Sequence, residues 1–189
     1  GDLSYDEASS TYTYTPDSNY NGTDTLDFVV TDSNGGNTMA SVDVNITAVN
    51  DAPIATYATA QATSEGSVDL IGQLTATDVD ANESLTYSLD SAVLKDADGN
   101  LVLDAEGINN FVVQGLSINS DGSWSFDPSL DPYNALVKDE TQTITVDYTV
   151  TDSSDDTNNT GNGSFVITLT GTNDDPTATF SATQTTTED

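Results

Sequence analysis

The sequence predicts an all-β protein built from tandem antiparallel β-sandwich modules. Apolar residues alternate with polar ones in short stretches rich in Thr, Val, Tyr and Ile. Clusters of Asp, Asn and Gly separate these stretches about every 8 to 12 residues, a spacing typical of β-sandwiches. In addition, the stretch NDAPIATYATAQATSEG at 50–66 returns in related form as NDDPTATFSATQTTTED at 173–189, which indicates a repeat.

The first clear strands are predicted in TLDFVVTD and SVDVNITAV. Every second residue from Leu26 to Val30 is apolar, and the same holds from Val42 to Ile46. Successive side chains of a strand point to opposite faces, so each of these strands has one buried side.

The same pattern recurs later in the chain. ITVDYTVTD and SFVITLTG repeat the two strands, and WSFDP at 124–128 matches YTYTP at 12–16, with Trp124 and Phe126 in the places of Tyr12 and Tyr14. Residues 11–49 therefore align with 123–172, apart from short insertions.

Residues 54–122 contain what the first copy lacks. Further strands are predicted around SVDLIGQLTATD, SLTYSLD, GNLVLD and FVVQGLSIN, with turns at DADGN and SDG. The predicted organisation, in chain order, is the C-terminal half of a module at 1–49, a joint at 50–53, a complete module at 54–172, a joint at 173–176 and the first strand of the next module at 177–189.

A half-module raises a physical difficulty. Half a sandwich exposes its inner face to water, and a few strands alone are marginally stable. We therefore expect 1–49 to be covered, either within a longer polypeptide or by a neighbouring molecule. The longer polypeptide is favoured, because residues 177–189 of a neighbour would supply only one of the missing strands.

Composition excludes several functions. The chain has 32 acidic and 2 basic residues and a formal charge of −30, so nucleic acid and anionic membrane surfaces are poor partners and cations are natural ones. It contains no cysteine and no histidine, which removes disulfides and the usual activated nucleophiles. No apolar run is long enough to insert in a membrane. We expect no enzymatic activity.

Acidic residues gather where strands end, in TDVDANES, KDET, VTDSSDD and the two NDxP joints. Calcium takes six to eight oxygen ligands, and loops rich in carboxylates and amides supply them readily. The segment DADGN at 96–100 starts like a calcium-binding loop, but its glycine is misplaced and we predict a hairpin turn there.

These motifs carry a family resemblance. VTD, followed by a final strand and AVNDAP or GTNDDP, resembles the joint of cadherin-like repeats in giant bacterial surface adhesins. LTATDVDANESLTYSL, with DGSWSFDP, VDYTVTD and NDDP after it, is similar to the VCBS repeat of the same proteins, many of them of the RTX type. The resemblance implies tandem Ig-like or cadherin-like sandwiches that hold calcium between modules.

The resemblance also implies a ligand set for each joint. At the first joint the implied calcium ligands are Asp24, Asn50, Asp51, Asp78, Asp80 and Asp152. At the second joint they are Glu65, Asp139, Glu140, Asn173 and Asp174.

The function expected from this resemblance is that of a calcium-rigidified extender in a large extracellular bacterial adhesin. Its partners would be neighbouring modules of the same long chain and calcium ions. Three alternatives stay open: a module that binds surface glycan or protein, a subunit of an extracellular fibre or surface layer, and an accessory module of a secreted hydrolase. An exposed aromatic patch would favour the binding module, whereas aromatic residues confined to the core would favour the extender.

Overall fold

The computed structural model describes residues 1–80, 83–102, 113–155 and 157–176. In these ranges all regular structure is strand, which confirms the predicted all-β class. The strands are β1 (Asp2–Asp6), β2 (Thr11–Thr15), β3 (Gly22–Thr31), β4 (Asn37–Ile46), β5 (Ile54–Ala55), β6 (Gln61–Ser64), β7 (Leu70–Gln73), β8 (Ala76–Thr77), β9 (Thr86–Lys95), β10 (Leu116–Ile118), β11 (Ser123–Phe126), β12 (Thr141–Thr151) and β13 (Thr160–Thr170).

Strands β5 to β13 form a sandwich. One sheet has the order β10-β11-β7, the other has the order β6-β13-β12-β9, and β5 and β8 form a short pair. All pairings are antiparallel except the parallel one between β13 and β6. Sheets that are largely antiparallel can bury one face and leave the other in water, as the alternating sequence requires.

The core lies between these two sheets. Along β12 every second residue from Ile144 to Val150 is fully buried, as the alternation predicts. Trp124 of the opposite sheet packs against Phe165, with ring centroids 4.9 Å apart. Trp124 is therefore a core residue and not an exposed platform for a sugar ring.

Residues 1–49 form two hairpins, β1-β2 and β3-β4, which correspond to β10-β11 and β12-β13. The register shows the correspondence directly. Tyr5 pairs with Tyr12 where Ile118 pairs with Trp124, and the pairs further along match in the same way. Thus Leu26 opposite Val42 matches Val146 opposite Phe165, and Asp24 opposite Val44 matches Ile144 opposite Ile167.

Burial differs sharply between the two copies. Tyr12 is 58% exposed, whereas its counterpart Trp124 is 2% exposed. Val42 is 51% exposed and its counterpart Phe165 is 2% exposed. No residue of 1–49 is buried. The face of the hairpins that matches the core of the second copy is therefore uncovered within 1–49. That these hairpins are half of a module stays a prediction.

Some predicted elements are partly or wholly outside the described residues. The strand predicted at 177–189 lies there, as do residues 103–112, which include parts of the strands predicted in GNLVLD and FVVQGLSIN. DADGN is a hairpin turn, as predicted: the Asp96 carboxylate accepts hydrogen bonds from the backbone N–H groups of Asp98 and Asn100. The exact module boundaries remain predictions.

The long strands separate the two joints. Thr151 at one end of β12 pairs with Thr160, and Thr141 at the other end pairs with Thr170. An 11-residue strand is roughly 33 Å long. Asp152 directly follows β12 and Glu140 directly precedes it, so the two predicted acidic clusters lie at opposite ends of the sandwich.

Candidate metal sites at the two joints

The first joint is tied to the sandwich by the side chain of Asn50. Its amide nitrogen lies 3.1 Å from Oδ2 of Asp152, 2.7 Å from the carbonyl oxygen of Asn158 and 3.2 Å from that of Asp51. In return, the Asn158 amide donates to the carbonyl oxygen of Asn50 at 3.3 Å. One asparagine thus connects the joint to the β12-β13 turn.

Pro53, the last residue of the joint, lies close against strand β13. A Cβ atom added at Gly161 would collide with the carbonyl oxygen of Pro53. Glycine is thus required here because two backbones approach each other directly. The joint is consequently held on the sandwich by packing as well as by hydrogen bonds.

Two further aspartates reach the same joint from the segment after β8. The backbone N–H of Asp51 donates to Oδ2 of Asp80 at 2.7 Å, and the N–H of Asp80 donates to Oδ1 of Asp78 at 2.9 Å. The other carboxylate oxygen of Asp78, Oδ2, is buried and has no hydrogen-bond partner among the described residues. A buried carboxylate oxygen without a partner is costly unless a cation neutralises it.

Asp152 is the most buried acid of this joint, at 5% exposure. Its carboxylate accepts hydrogen bonds from the Asn50 amide and from the N–H of Ser154. Among the described residues, the only ion pairs are those of the Gly1 amino group with Asp17 and Asp24. No lysine in that part of the chain therefore neutralises the carboxylates of the joint.

A cavity of about 270 Å³ lies between the joint and the hairpins of 1–49. Asp51 and Asp80 line it on one side, and Asn19 and Asn21 line it on the other. Asn19 occupies the position that Asp139 holds in the second copy, because each is five residues before the matched pair Asp24 and Ile144. Both have left-handed backbones, with φ of 60° and 68°.

Asp24 is the calcium ligand that the family resemblance implies from the hairpins of 1–49. Its side chain contacts Tyr14 and lies near Gly1. Its Oδ2 accepts a hydrogen bond of 2.5 Å from the hydroxyl of Tyr14 and lies 3.9 Å from the Gly1 amino group. The hydrogen bond to Asp24, with a smaller contribution from desolvation, raises the pKa of Tyr14 from 10.0 to about 12. The structure therefore does not bring Asp24 into contact with the other implied ligands in the described residues.

At the second joint the central acid is Glu65, which is 4% exposed. One carboxylate oxygen accepts from the backbone N–H of Thr172 at 2.5 Å, and the other accepts from the N–H of Leu136 at 3.3 Å. Glu65 therefore anchors the end of β13 and the loop before β12 at the point where the second joint begins.

The other implied ligands of this joint surround that anchor. The N–H of Asp139 donates to the carbonyl oxygen of Gly171, and the N–H of Gly171 donates to that of Glu140. The Glu140 carboxylate caps the N–H of Val137 at 3.0 Å. These bonds hold the acidic pair beside the start of the joint.

The two joints share one local geometry. Asn173 places its amide 3.3 Å from the carbonyl oxygen of Asp174, as Asn50 does with Asp51 at 3.2 Å. Asn173 and Asp174 are exposed, whereas Asn50 and Asp51 are partly covered by the segments on both sides of their joint.

The donor chemistry of both joints suits a hard divalent cation, because it consists of carboxylate, amide and backbone oxygens. The buried Oδ2 of Asp78, which has no hydrogen-bond partner among the described residues, also favours a bound cation. Within the described ranges, however, no three acidic side chains lie close enough together to form a ready-made metal cage. The first joint therefore contains oxygen atoms of the kind that calcium prefers as ligands. The side chains that carry them are hydrogen-bonded to one another or to the backbone.

Three asparagines at the first joint were not predicted from the sequence: Asn19, Asn21 and Asn158. Amides give no charge signal, and Asn19 matches Asp139 only when the strands are aligned by register. The offset between the copies changes from 112 residues at Tyr12 and Trp124 to 123 at the joints, because of insertions. Because of this change in offset, the sequence alone does not show that Asn19 corresponds to Asp139.

Comparison with known proteins agrees with this architecture. Residues 2–47 match the family model described as a cadherin-like domain. The crystal structure of mouse protocadherin-24 EC1-3 is similar in fold, with a TM-score of 0.51 and 14% sequence identity. The match covers 89% of this chain and 51% of that one, so the chain spans about half the length of the structure it resembles. Among curated proteins, none matches this sequence.

The described residues also contain no helix with the length and apolarity needed to span a bilayer.

Proposed function

We propose that this chain is a structural extender segment of a large extracellular bacterial adhesin, and that calcium stiffens the joints between its modules. The cadherin-like match supports an adhesion-type extracellular repeat. The bacterial source, the VCBS and RTX relationship and the calcium itself rest on the sequence motifs and on the chemistry of the joints. The role proposed is mechanical and not enzymatic.

The observation that carries the proposal is the position of the two acidic joints. Asp152 and Glu140 bound the two ends of β12, the longest strand together with β13 among those described. Modules joined at opposite ends extend in a line and do not fold back on each other. An array of this kind places whatever follows it at a distance from its anchor, which is the property an extender needs.

Calcium would reverse the electrostatics of each joint. Two carboxylates 4 Å apart repel by about 1 kcal/mol in water and by more where they are partly buried. A divalent ion turns this repulsion into attraction and ties neighbouring modules to one point. Extracellular calcium modules bind with Kd of about 10⁻⁴ to 10⁻³ M, and an ion at about 100 times its Kd stabilises the folded state by about 2.7 kcal/mol.

At the first joint the proposed ligands are the residues that hydrogen-bond across the joint or line the cavity beside it. They are Asn19, Asn50, Asp51, Asp78, Asp80 and Asp152. At the second joint, Glu65, Asp139, Glu140, Asn173 and Asp174 supply one side of a site. The family resemblance implies Asp24 as a ligand, but the proposal takes Asn19 in its place, because the strand register matches Asn19 to Asp139.

The arrangement of the aromatic residues supports an extender over a ligand-binding module. Every described aromatic residue of 54–172 is buried or half-buried. Of the exposed aromatic residues Tyr5, Tyr12 and Tyr20, all in 1–49, the first two have counterparts, Ile118 and Trp124, that pack in the core. The exposure of Tyr5 and Tyr12 follows from the proposed absence of covering strands, so it gives no support for a sugar-binding platform.

Calorimetric titration of the chain with Ca²⁺ tests the proposal, with Mg²⁺ as the matched ion. We expect saturable heat with Ca²⁺ at sub-millimolar to millimolar concentration and weaker binding of Mg²⁺, which demands stricter octahedral geometry. An absence of saturable Ca²⁺ binding up to about 10 mM, an order of magnitude above the usual range, would remove calcium from the account.

A further inference from the structure

The inner face of residues 1–49 is an apolar surface that no residue within 1–49 covers. Leu3, Tyr5 and Tyr12 are exposed on it, and Phe28 adds a half-buried ring whose centroid is 5.8 Å from that of Tyr12. A contiguous apolar patch of this kind marks an interaction surface.

The second copy shows what covers the same surface. There, Leu74 and Leu94, from the segments around β7 and β9, are buried in one cluster with Trp124, Phe126 and Phe165. These covering residues come from the N-terminal part of the module, which has no counterpart within 1–49.

The strand edges give independent information about the cover. Within the described residues, β2, β3 and β4 each pair with a single neighbour. Their counterparts have two neighbours each: β11 also pairs with β7, β12 with β9, and β13 with β6 in parallel. An open edge leaves a row of backbone N–H and C=O groups unpaired and attracts a strand.

We propose that 1–49 is the acceptor half of a sandwich, completed by a polypeptide segment of the same kind as residues 54–115. Such a segment adds one strand antiparallel to β2, one antiparallel to β3 and one parallel to β4, and its leucines fill the space over Tyr12 and Phe28. This inference does not depend on calcium.

A second copy of the chain fits the surface less well. Two identical half-modules packed face to face would bury their apolar residues but leave the edges of β2, β3 and β4 unpaired. They would also bring together two Asp24 carboxylates on chains that each have a formal charge of −30. Strands of the β6, β7 and β9 type satisfy both the apolar face and the edges.

The test is a chimera in which residues 54–115 precede Leu3 of the chain. This junction reproduces the native order, because Leu3 pairs with Tyr14 as Leu116 pairs with Phe126. Hydrogen exchange of the amides in 22–46 and binding of the dye ANS are compared with those of the unmodified chain. We expect exchange in 22–46 to slow by about tenfold or more and ANS binding to fall.

Two further variants keep the result interpretable. A chimera whose grafted copies of Leu70, Leu74 and Leu94 are changed to Ser should give no protection. A chimera that also carries Tyr12→Trp, Asp24→Ile and Val42→Phe recreates the face of the complete module and should be protected at least as well as the first.

The proposal is overturned if neither the first chimera nor the one with the recreated face slows exchange in 22–46. It is equally overturned if the unmodified chain already protects these amides in proportion to its dimerisation in sedimentation, since a second copy would then be the cover.

Discussion

The side-chain amide of Asn50 lies 3.1 Å from the carboxylate of Asp152, a residue 102 positions later in the sequence. The contact joins the predicted joint at 50–53 to the end of β12. Asp152 is almost fully buried, and no lysine in the described part of the chain forms an ion pair with it. The Asn50 amide is therefore one of the described groups that compensate its charge. The joint is thus part of the folded module and not a free linker.

Replacing Asn50 with Ala should destabilise the complete module by about 1 to 3 kcal/mol, because the buried Asp152 carboxylate loses a hydrogen-bond donor. Asn173→Ala is the matched control, since Asn173 makes the same local contact to the next carbonyl but is exposed. Urea denaturation of both variants measures the difference. Equal loss of stability in the two variants would mean that the long-range contact contributes nothing.

Asp80→Asn should weaken Ca²⁺ binding at the first joint by about tenfold, because it removes one ligand charge. The fold should persist, since an amide oxygen can still accept the hydrogen bond from Asp51. Asp98→Asn, in the exposed DADGN turn, removes the same charge away from either joint and serves as the control. Calorimetry distinguishes a joint site, where only the first variant weakens binding, from diffuse screening, where both variants weaken it alike.

Asp24→Asn should lower the pKa of Tyr14 from about 12 toward its usual value of 10.0, because the neutral phenol then loses its carboxylate acceptor. A raised folded pKa adds stability that is complete below about pH 10 and is lost as the pH rises toward about 12. NMR titration of the tyrosine rings measures the pKa directly. Asp27→Asn, on the opposite face of β3, is the control and should leave it unchanged.

The same variant decides the role of Asp24 at the joint. We expect Asp24→Asn to leave Ca²⁺ affinity unchanged, because Asn19 and not Asp24 lines the cavity beside Asp80. A loss of affinity comparable to that of Asp80→Asn would instead establish Asp24 as a ligand.

Glu65→Gln should destabilise the module by about 1 to 3 kcal/mol even without calcium. The two oxygens of Glu65 accept from the N–H groups of Thr172 and Leu136, and glutamine would place an NH₂ group against one of these donors. Glu7→Gln, in an exposed turn, is the control. Thermal melting in the presence of EDTA isolates this effect, and unchanged melting would show that Glu65 is not a structural anchor.

Periodicity was sufficient to predict the strands and the core. The alternation from Ile144 to Val150 identified the buried face of β12, and the match of WSFDP to YTYTP identified the repeat. These signals are local, because a strand with one buried side must alternate. No residue of 1–49 is buried, and the interpretation of these residues as half of a module stays a prediction.

The joints were harder to predict from sequence. Charge identified Asp78, Asp80 and Asp152, which the structure gathers with Asn50 and Asp51. It gave no sign of Asn19, whose relevance depends on a left-handed backbone and on strand register. Nor did it separate Asp24 from the joint, because its partner Tyr14 lies on β2, in a different sheet, and their hydrogen bond is defined only by the three-dimensional structure.

Small-angle scattering with and without calcium tests the central claim most directly. The chain is measured in millimolar Ca²⁺, in EDTA and again after calcium is restored, with the melting temperature followed in parallel. Calcium-stiffened joints predict a longer maximum dimension and a higher melting temperature in Ca²⁺, both lost in EDTA and both recovered on its return. Identical scattering profiles and melting temperatures in all three conditions would contradict the account.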